Sequence, residues 1–286
     1  MLDAIGDTSR PTLPRATWRL VDTGWQGGPA NMAIDEAIME AVEAGDQPPT
    51  LRIYGWQPAC LSLGRNQPWL AVDWEACLAR GWDVVRRPTG GRAILHVDEL
   101  TYSVSAPEDE PRVHGGILPS YMRLSNALAA GLSQLGLTPQ QAGAPEPDAA
   151  KGPVCFDSPS NYEITAGGRK LIGSAQARRR GMVLQHGTLP LYGDLRRIVQ
   201  ALHYEEERER AAAASALIAS ALTLEEALGR RVAYDEATTA LAAGFASALN
   251  LQLEKGSLSA AEIERAQTIR AEKYGHDEWT RRNGSR

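Results

Sequence analysis

Val84-Val-Arg-Arg-Pro-Thr-Gly-Gly-Arg-Ala-Ile-Leu-His-Val-Asp-Glu-Leu-Thr-Tyr-Ser-Val-Ser105 decides the fold class of this chain. Its β-branched and aliphatic runs, Val84–Arg87, Arg92–His96 and Thr101–Ser105, read as three strands. Pro88-Thr-Gly-Gly91 and Val97-Asp-Glu99 separate them, because Pro and paired Gly favour turns over continued pairing. Upstream, Thr50–Tyr54 and Cys60–Leu63 read as strands around a Trp56-Gln57-Pro58 turn. Downstream, Tyr162–Ala166 and Arg169–Gln176 read as a hairpin closed by Gly167-Gly168, and Met182–Leu191 as a further strand. Helical spacing interrupts this series. Ile34, Ile38, Ala41 and Val42 mark one amphipathic helix after Gly27-Gly28-Pro29, ended by Gly45. Asp73 caps a second, and Tyr121, Leu124, Leu128, Leu132 and Leu135 mark a third. After Asp194 the chain reads as helical, with capping-box patterns at Thr223/Glu226 and Ser259/Glu262. The class is therefore α+β, or mixed α/β, with mixed β-sheets flanked by helices. A catalytic body over 15–250 and a helical C-terminal appendage over 251–286 are expected. The Pro-, Gly- and Ala-rich stretch 138–153 reads as a long loop.

Composition narrows the function classes. With 43% hydrophobic and 23% charged residues the 286-residue chain is of ordinary globular type. No apolar run approaches the roughly 20 residues of a membrane helix. The first fifteen residues lack a signal-peptide pattern and read as a frayed leader. Cys60, Cys77 and Cys155 are odd in number and far apart, which argues against a disulfide framework or a zinc site. A reduced, cytoplasmic protein is expected. The net charge of −5 gives no reason to expect nucleic acid or an anionic membrane as partner. Almost all cations are Arg, with Lys only at 151, 170, 255 and 273.

Four segments carry chemistry. In Arg86-Arg-Pro-Thr-Gly-Gly-Arg92, two glycines admit close backbone approach and free N–H donors, and the arginines can hold a phosphate or carboxylate. The competing reading is a hairpin turn with solvated arginines. Cys155, between the long loop and a strand, suits a partly exposed nucleophile. A lone Cys is more often a small buried hydrophobe. Lys170 stands in an Arg-preferring chain, and Lys shifts its pKa more readily than Arg. As an edge-strand Lys it would instead discourage aggregation. Alternation puts Lys170, Ile172 and Ser174 on one face and Leu171, Gly173 and Ala175 on the other. Gln185-His-Gly-Thr188 lies in a strand, where His186, like His96, also reads as a core histidine. His114, His203 and His276 share no ligand spacing with them, so neither a metal nor a cofactor is expected.

Taken in order, these segments resemble the lipoate-protein ligase and octanoyltransferase family, whose catalytic domain is shared with biotin protein ligases. The similarity spans about Trp18 to Trp279. It includes Asn31-Met-Ala-Ile-Asp-Glu-Ala37, Arg86–His96, Glu99-Leu-Thr-Tyr-Ser103, Gly168-Arg-Lys-Leu-Ile-Gly-Ser-Ala-Gln-Ala-Arg178, Gln185–Thr188 and Glu272-Lys-Tyr-Gly-His-Asp-Glu-Trp279. Cys155-Phe-Asp-Ser-Pro-Ser160 is similar to the motif of the LipM-type octanoyltransferases, in which this cysteine is acylated. The resemblance implies Cys155 and Lys170 as the catalytic pair, with Lys170 favouring the thiolate. It implies that Arg87, Thr89, Gly90, Gly91, Arg92, His96, Gly173, Ser174, Ala175, Gln176, His186, Gly187 and Thr188 form the acyl and substrate site.

The implied reaction moves an octanoyl group from acyl carrier protein to a lysine of a lipoyl-domain protein, such as the glycine cleavage H protein. Ile94, Leu95, Leu171 and Ile172 can line the acyl slot. The basic Arg86-Arg87, Arg92 and Arg178–Arg180 segments can receive an acidic carrier. Three rival readings stay open. An ATP-dependent lipoate-protein ligase would leave Cys155 a spectator, an amidotransferase would move the acyl group between lipoyl domains, and a pure binder would form no covalent adduct.

Overall fold

The computed structural model describes residues 13–141 and 163–282. Strand β1 (Ala16–Gln26) leads into helix α1 (Gly28–Glu43), strands β2 (Thr50–Trp56) and β3 (Cys60–Leu63) and helix α2 (Trp74–Ala79). Strands β4 (Asp83–Arg86), β5 (Ile94–His96) and β6 (Glu99–Pro107) follow, then helix α3 (Ile117–Gln134). Next come β7 (Gln140–Gln141), β8 (Ile164–Ala166), β9 (Arg169–Arg179) and β10 (Met182–Pro190). The chain continues through α4 (Glu207–Ser220), α5 (Leu224–Leu228), α6 (Tyr234–Ala248), β11 (Leu251–Gly256), α7 (Ala260–Ile269) and α8 (Asp277–Thr280).

Two mixed sheets form. The large one runs β11-β1-β2-β6-β10-β9-β8-β7, and the small one β4-β3-β5. In the large sheet β1 is parallel to both β11 and β2, and the remaining pairs are antiparallel. The α+β class with mixed sheets and flanking helices is the class observed.

Strand β6 explains why the large sheet has two different buried faces. Successive side chains alternate across a strand. Leu100, Tyr102, Val104 and Ala106 join the core under α3 and α6. Glu99, Thr101, Ser103 and Ser105 point the other way and are equally buried. Their register partners share that polar face: Arg52 and Tyr54 on β2, His186 and Thr188 on β10. Helix α1 covers this face. It presents Asn31 and Asp35, four residues apart and so on one side of a helix, both fully buried.

On the apolar face α3 and α6 cross at a glycine pair. A Cβ on Gly244 would lie 2.2 Å from Gly131 N and 2.4 Å from Ala127 O. A helix-interior Gly costs stability relative to Ala, roughly 1 kcal/mol, but here the alternative is a backbone clash. Gly244→Ala is therefore expected to destabilise, by about 1–3 kcal/mol from overpacking. Chemical denaturation checks the sign, since propensity alone predicts a gain.

Strands β1 and β11 have no counterpart in the sequence reading. Trp18 in β1 is fully buried and Leu251 in β11 nearly so, and in parallel pairing each strand needs a distant partner that local pattern does not reveal. Segment 251–286, expected as a helical appendage, contributes β11 as an edge strand and lays α7 on α1. Ser259 and Glu262 complete a reciprocal capping box, and Glu262 also takes the buried Arg19 guanidinium at 2.9 Å. Asp73 caps α2, accepting from Ala76 N at 2.9 Å.

Candidate active site

The polar face holds two buried networks that meet at strand β10. In the first, Asp35 Oδ1 accepts from Arg52 Nη1 and from Ser103 Oγ, each at 2.7 Å, and Oδ2 accepts from Tyr54 OH at 2.9 Å. Arg52 is fixed further by Asn31, through its carbonyl at 2.9 Å and its Oδ1 at 2.7 Å. His186 Nδ1 stands 3.5 Å from Asp35 Oδ2, and its Nε2 shares a 2.6 Å hydrogen bond with Thr89 Oγ1. A helix and three strands thus meet around one carboxylate, and His186 carries the network on to the Gly-rich loop.

Burial works to raise the Asp35 carboxyl, but Arg52, His186 and Ser103 outweigh it and hold it down at about 2. Burial pushes the His186 imidazole down, with Arg87 and His96 adding to this and Asp35 opposing. Both shifts make the fold acid-labile. A depressed carboxylate contributes stability above its unfolded value, near pH 4, that is lost as pH falls through about 2. Two pKa units correspond to about 2–3 kcal/mol. A lowered imidazole means the unfolded chain takes a proton that the fold refuses, so stability also declines as pH falls below about 6.5. Thermal melts should show that early decline and show it reduced in His186→Gln. An equally steep decline in that variant would contradict the assignment.

In the second network His96 Nδ1 donates to Glu99 Oε1 at 2.8 Å, and Ser62 Oγ lies 2.8 Å from His96 Nε2. Thr101 and Thr188 both donate to the Glu99 carboxylate. The Trp56 indole stacks on His96 with ring centroids 3.9 Å apart and donates to Thr101 Oγ1 at 2.8 Å. Arg87 Nη1 donates to Ser62 Oγ at 3.1 Å, so the Ser62 proton is left to point at His96.

The Gly-rich loop is held from within. Arg87 donates to the carbonyls of Gly90 at 2.8 Å and Arg92 at 2.7 Å. Gly91 takes φ +89°, a left-handed conformation that favours glycine. Its carbonyl packs so close to Gly64 that a Cβ there would lie 1.9 Å from it. Arg86 donates to the carbonyls of Gly64, Gln67 and Thr280 at 2.8, 2.7 and 3.0 Å. Both guanidiniums are buried, so the expectation that Arg86 and Arg87 face a carrier protein is corrected. A planar five-donor group serves to staple backbone here.

Lys170 is fully buried, and its Nζ donates to Glu163 Oε1 at 2.6 Å. Charges removed from water need such compensation. Cys155 lies outside the described residues. The other two thiols are not poised as nucleophiles. Burial and then Asp83 push Cys60 well up, and burial and then Asp73 push Cys77 to about 11.

Residues 28–246 match the lipoyl protein ligase A/B catalytic domain. The chain belongs to this family. It is 45% identical to the octanoyltransferase LipM of Symbiobacterium thermophilum, over 93% of this chain and 98% of that one. It is 46% identical to the octanoyltransferase LipM of Moorella thermoacetica, over 94% and 100%. A bi-partite lipoate protein ligase from Thermoplasma acidophilum superimposes with a TM-score of 0.78 at 25% identity, over 94% of this chain and 98% of that one. With these relatives the chain is an acyltransferase.

Within this family member the expected site residues divide by strand pleat. Gly173 and Ala175 lie opposite Thr188 and His186, on the polar face. Ser174 and Gln176 fall on the other face with Gly187 and Gln185. Ser174 Oγ and Tyr102 OH are 2.7 Å apart, and Gln176 donates to Gln185 at 3.0 Å and Ser120 at 2.9 Å. A Cβ on Gly187 would lie 2.3 Å from Ser174 Oγ, so glycine alone lets β9 and β6 side chains close over β10. Thr89, His96, His186 and Thr188 do converge. Arg92 is half-buried with no charged partner among the described residues.

The expected acyl-slot residues do not share one hollow. Leu171 and Ile172 belong to the core under α3 and α6, whereas Ile94 and Leu95 border a cavity of about 30 Å³ beside Ile198 and Leu217. That space suits about one water. Sequence reading missed Asp35, Arg52, Glu99, Trp56, Ser62 and Glu163 as site residues. Signals existed for two: Asp35 stands in the Asn31–Ala37 segment, and Glu99-Leu-Thr-Tyr-Ser-Val-Ser alternates polar and apolar in a strand that proves buried on both faces. Among the described residues no cluster of His, Cys, Asp and Glu is placed to hold a metal, and no helix is long and apolar enough to cross a membrane.

Proposed function

We propose that this chain transfers an octanoyl group from acyl carrier protein to a lysine of a lipoyl-domain protein, such as the glycine cleavage H protein, in lipoate biosynthesis. The observation that carries this reading is 45% identity to an octanoyltransferase LipM over nearly the whole of both chains. The Cys155 thiolate attacks the carbonyl carbon of the carrier thioester. The bond to the carrier sulfur breaks, that thiolate leaves and takes up a proton, and the acyl group rests on Cys155. The acceptor amine then attacks the Cys155 thioester, an amide C–N bond forms, and the amine proton restores the Cys155 thiol. Thioester exchange needs no ATP, and amide formation from a thioester runs downhill.

Free Cys has a pKa near 8.5, so only a few per cent is thiolate at neutral pH. A buried ammonium at Lys170 favours the anion, and Glu163 holds that ammonium in place. Gly90, Gly91 and Gly173 offer backbone N–H groups for the tetrahedral oxyanion. Thr89 and His186, hydrogen-bonded to each other with His186 Nδ1 3.5 Å from Asp35, stand at the Gly-rich loop.

Reconstituted transfer tests the reading. Octanoyl-carrier protein and a lipoyl domain should yield octanoyl-lysine without nucleotide. Product formed only from free octanoate or lipoate with ATP and magnesium would establish a ligase instead. Transfer from an octanoylated lipoyl domain but not from carrier protein would establish an amidotransferase.

A further inference from the structure

A basic bay opens beside the Gly-rich loop, in a chain whose net charge is −5. Its volume is about 520 Å³. Six cationic side chains border it against two carboxylates, Glu36 and Glu40. Both carboxylates are already engaged. Glu36 holds Lys273 at 2.9 Å and the Tyr274 hydroxyl at 2.6 Å, and Glu40 holds Arg265 at 2.6 Å. Arg65, Arg179, Arg180 and Arg282 keep no carboxylate partner among the described residues.

Four elements build the bay. The tip of the β9–β10 hairpin brings Arg179 and Arg180, the latter at φ +53°. The loop after β3 brings Arg65, exposed to solvent. Helix α1 supplies the carboxylate wall. The C-terminal segment supplies Lys273 from a π-helical turn, Arg270–Tyr274, and Arg282, whose guanidinium lies 3.6 Å from the Trp279 ring centroid. Burial and Arg65 push Arg282 down, and burial pushes Lys273 down against the opposing Glu36, with Arg179 and Arg282 adding to the shift. The cations therefore crowd one another, an arrangement that costs free energy until an anion enters.

A second hollow, of about 330 Å³, shares Arg65, Arg179, Lys273 and Trp279 with the bay and extends to Pro88. Pro88 adjoins Thr89, whose hydroxyl meets His186. The bay thus leads towards the polar face rather than ending on a remote surface.

We propose that the acidic carrier protein delivering the acyl thioester docks on this bay, with the phosphodiester of its prosthetic arm held by Arg65, Arg179 and Arg282. This rests on the carrier-donor reading above. Guanidinium forks suit both phosphate oxygens and carboxylates, so one surface takes the arm and the acidic protein face together. Arg179 and Arg180 belong to the Arg178–Arg180 segment already expected from sequence to face a carrier, whereas Arg86 and Arg87, expected with them, are buried on backbone carbonyls.

The test compares two donors on Arg65→Glu/Arg179→Glu, with the milder Arg65→Gln/Arg179→Gln as a second variant. Neither arginine holds a carboxylate in the fold, so neither change strands a buried anion. One donor is octanoyl-carrier protein, and the other a short octanoyl thioester with neither phosphate nor protein. The ratio of carrier to short-thioester acylation rates, read by intact-protein mass, should fall at least about tenfold for the Glu pair and less for the Gln pair. Raising salt from about 0.05 to 0.3 M should slow wild-type acylation by the carrier more than that of the variants. A ratio within twofold of wild type overturns the docking face. So does a selective loss in transfer from preloaded acyl-enzyme to the lipoyl domain, since the bay would then serve the acceptor. Wild-type enzyme that takes no acyl group from the carrier overturns the donor reading itself, and this proposal with it.

Discussion

Lys170→Met should lower transfer by about 10²–10³-fold and, separately, remove about 3–5 kcal/mol of stability. The two losses have different causes. The stability loss comes from Glu163, which is 3% exposed and would keep a buried carboxylate without its ammonium. In the proposed mechanism the activity loss would come from the thiolate fraction, because a cysteine that loses its cationic partner returns towards its free pKa. A double variant, Glu163→Gln/Lys170→Met, separates them. Replacing both members of a buried pair is often close to neutral, so denaturation should recover most of the lost stability while activity stays low. A double variant that regains both would reduce Lys170 to a structural role.

Asp35→Ala carries the second large effect, about 3–5 kcal/mol, in a domain whose whole stability is on the order of 5–15 kcal/mol. Arg52 would be left buried with its Asp35 partner gone, and Tyr54 and Ser103 would lose the oxygens they donate to. His186 would lose the carboxylate near its Nδ1, and with it some of the restraint on Thr89 in the Gly-rich loop. Asp35→Asn keeps the shape and an acceptor for Arg52, so its cost should be smaller. Urea melts order the three proteins. Equal stability of Asp35→Ala and wild type would show that the polar face does not depend on this carboxylate.

The sequence shows side-chain types and local period, and those suffice for much of the molecule. The three strands within 84–105, the β8–β9 hairpin, the α1 and α3 periodicities and the caps at Asp73 and Ser259 all follow from short-range rules. What local rules cannot show is direction. Arg86 and Arg87 look the same in sequence whether they reach outward to an acidic partner or inward to carbonyls, and the fold turns both inward. Nor can they show who meets whom. Asp35 and His186 are brought together by α1 lying across β10, over a separation no motif spans. Ser174 and Gln176 sit in the same short motif as Gly173 and Ala175, yet the pleat sends them to the opposite face. Lys170 stands out in the sequence because the chain otherwise prefers Arg. Its partner Glu163, seven residues earlier, gave no such compositional signal.

Intact-protein mass spectrometry after incubation with octanoyl-carrier protein tests the central claim most directly. The account predicts one octanoyl group on the wild-type enzyme, none on Cys155→Ala, and release of that group when a lipoyl domain is added. An adduct that persists in Cys155→Ala, or a Cys155→Ala enzyme that transfers at the wild-type rate with a requirement for ATP, would contradict it.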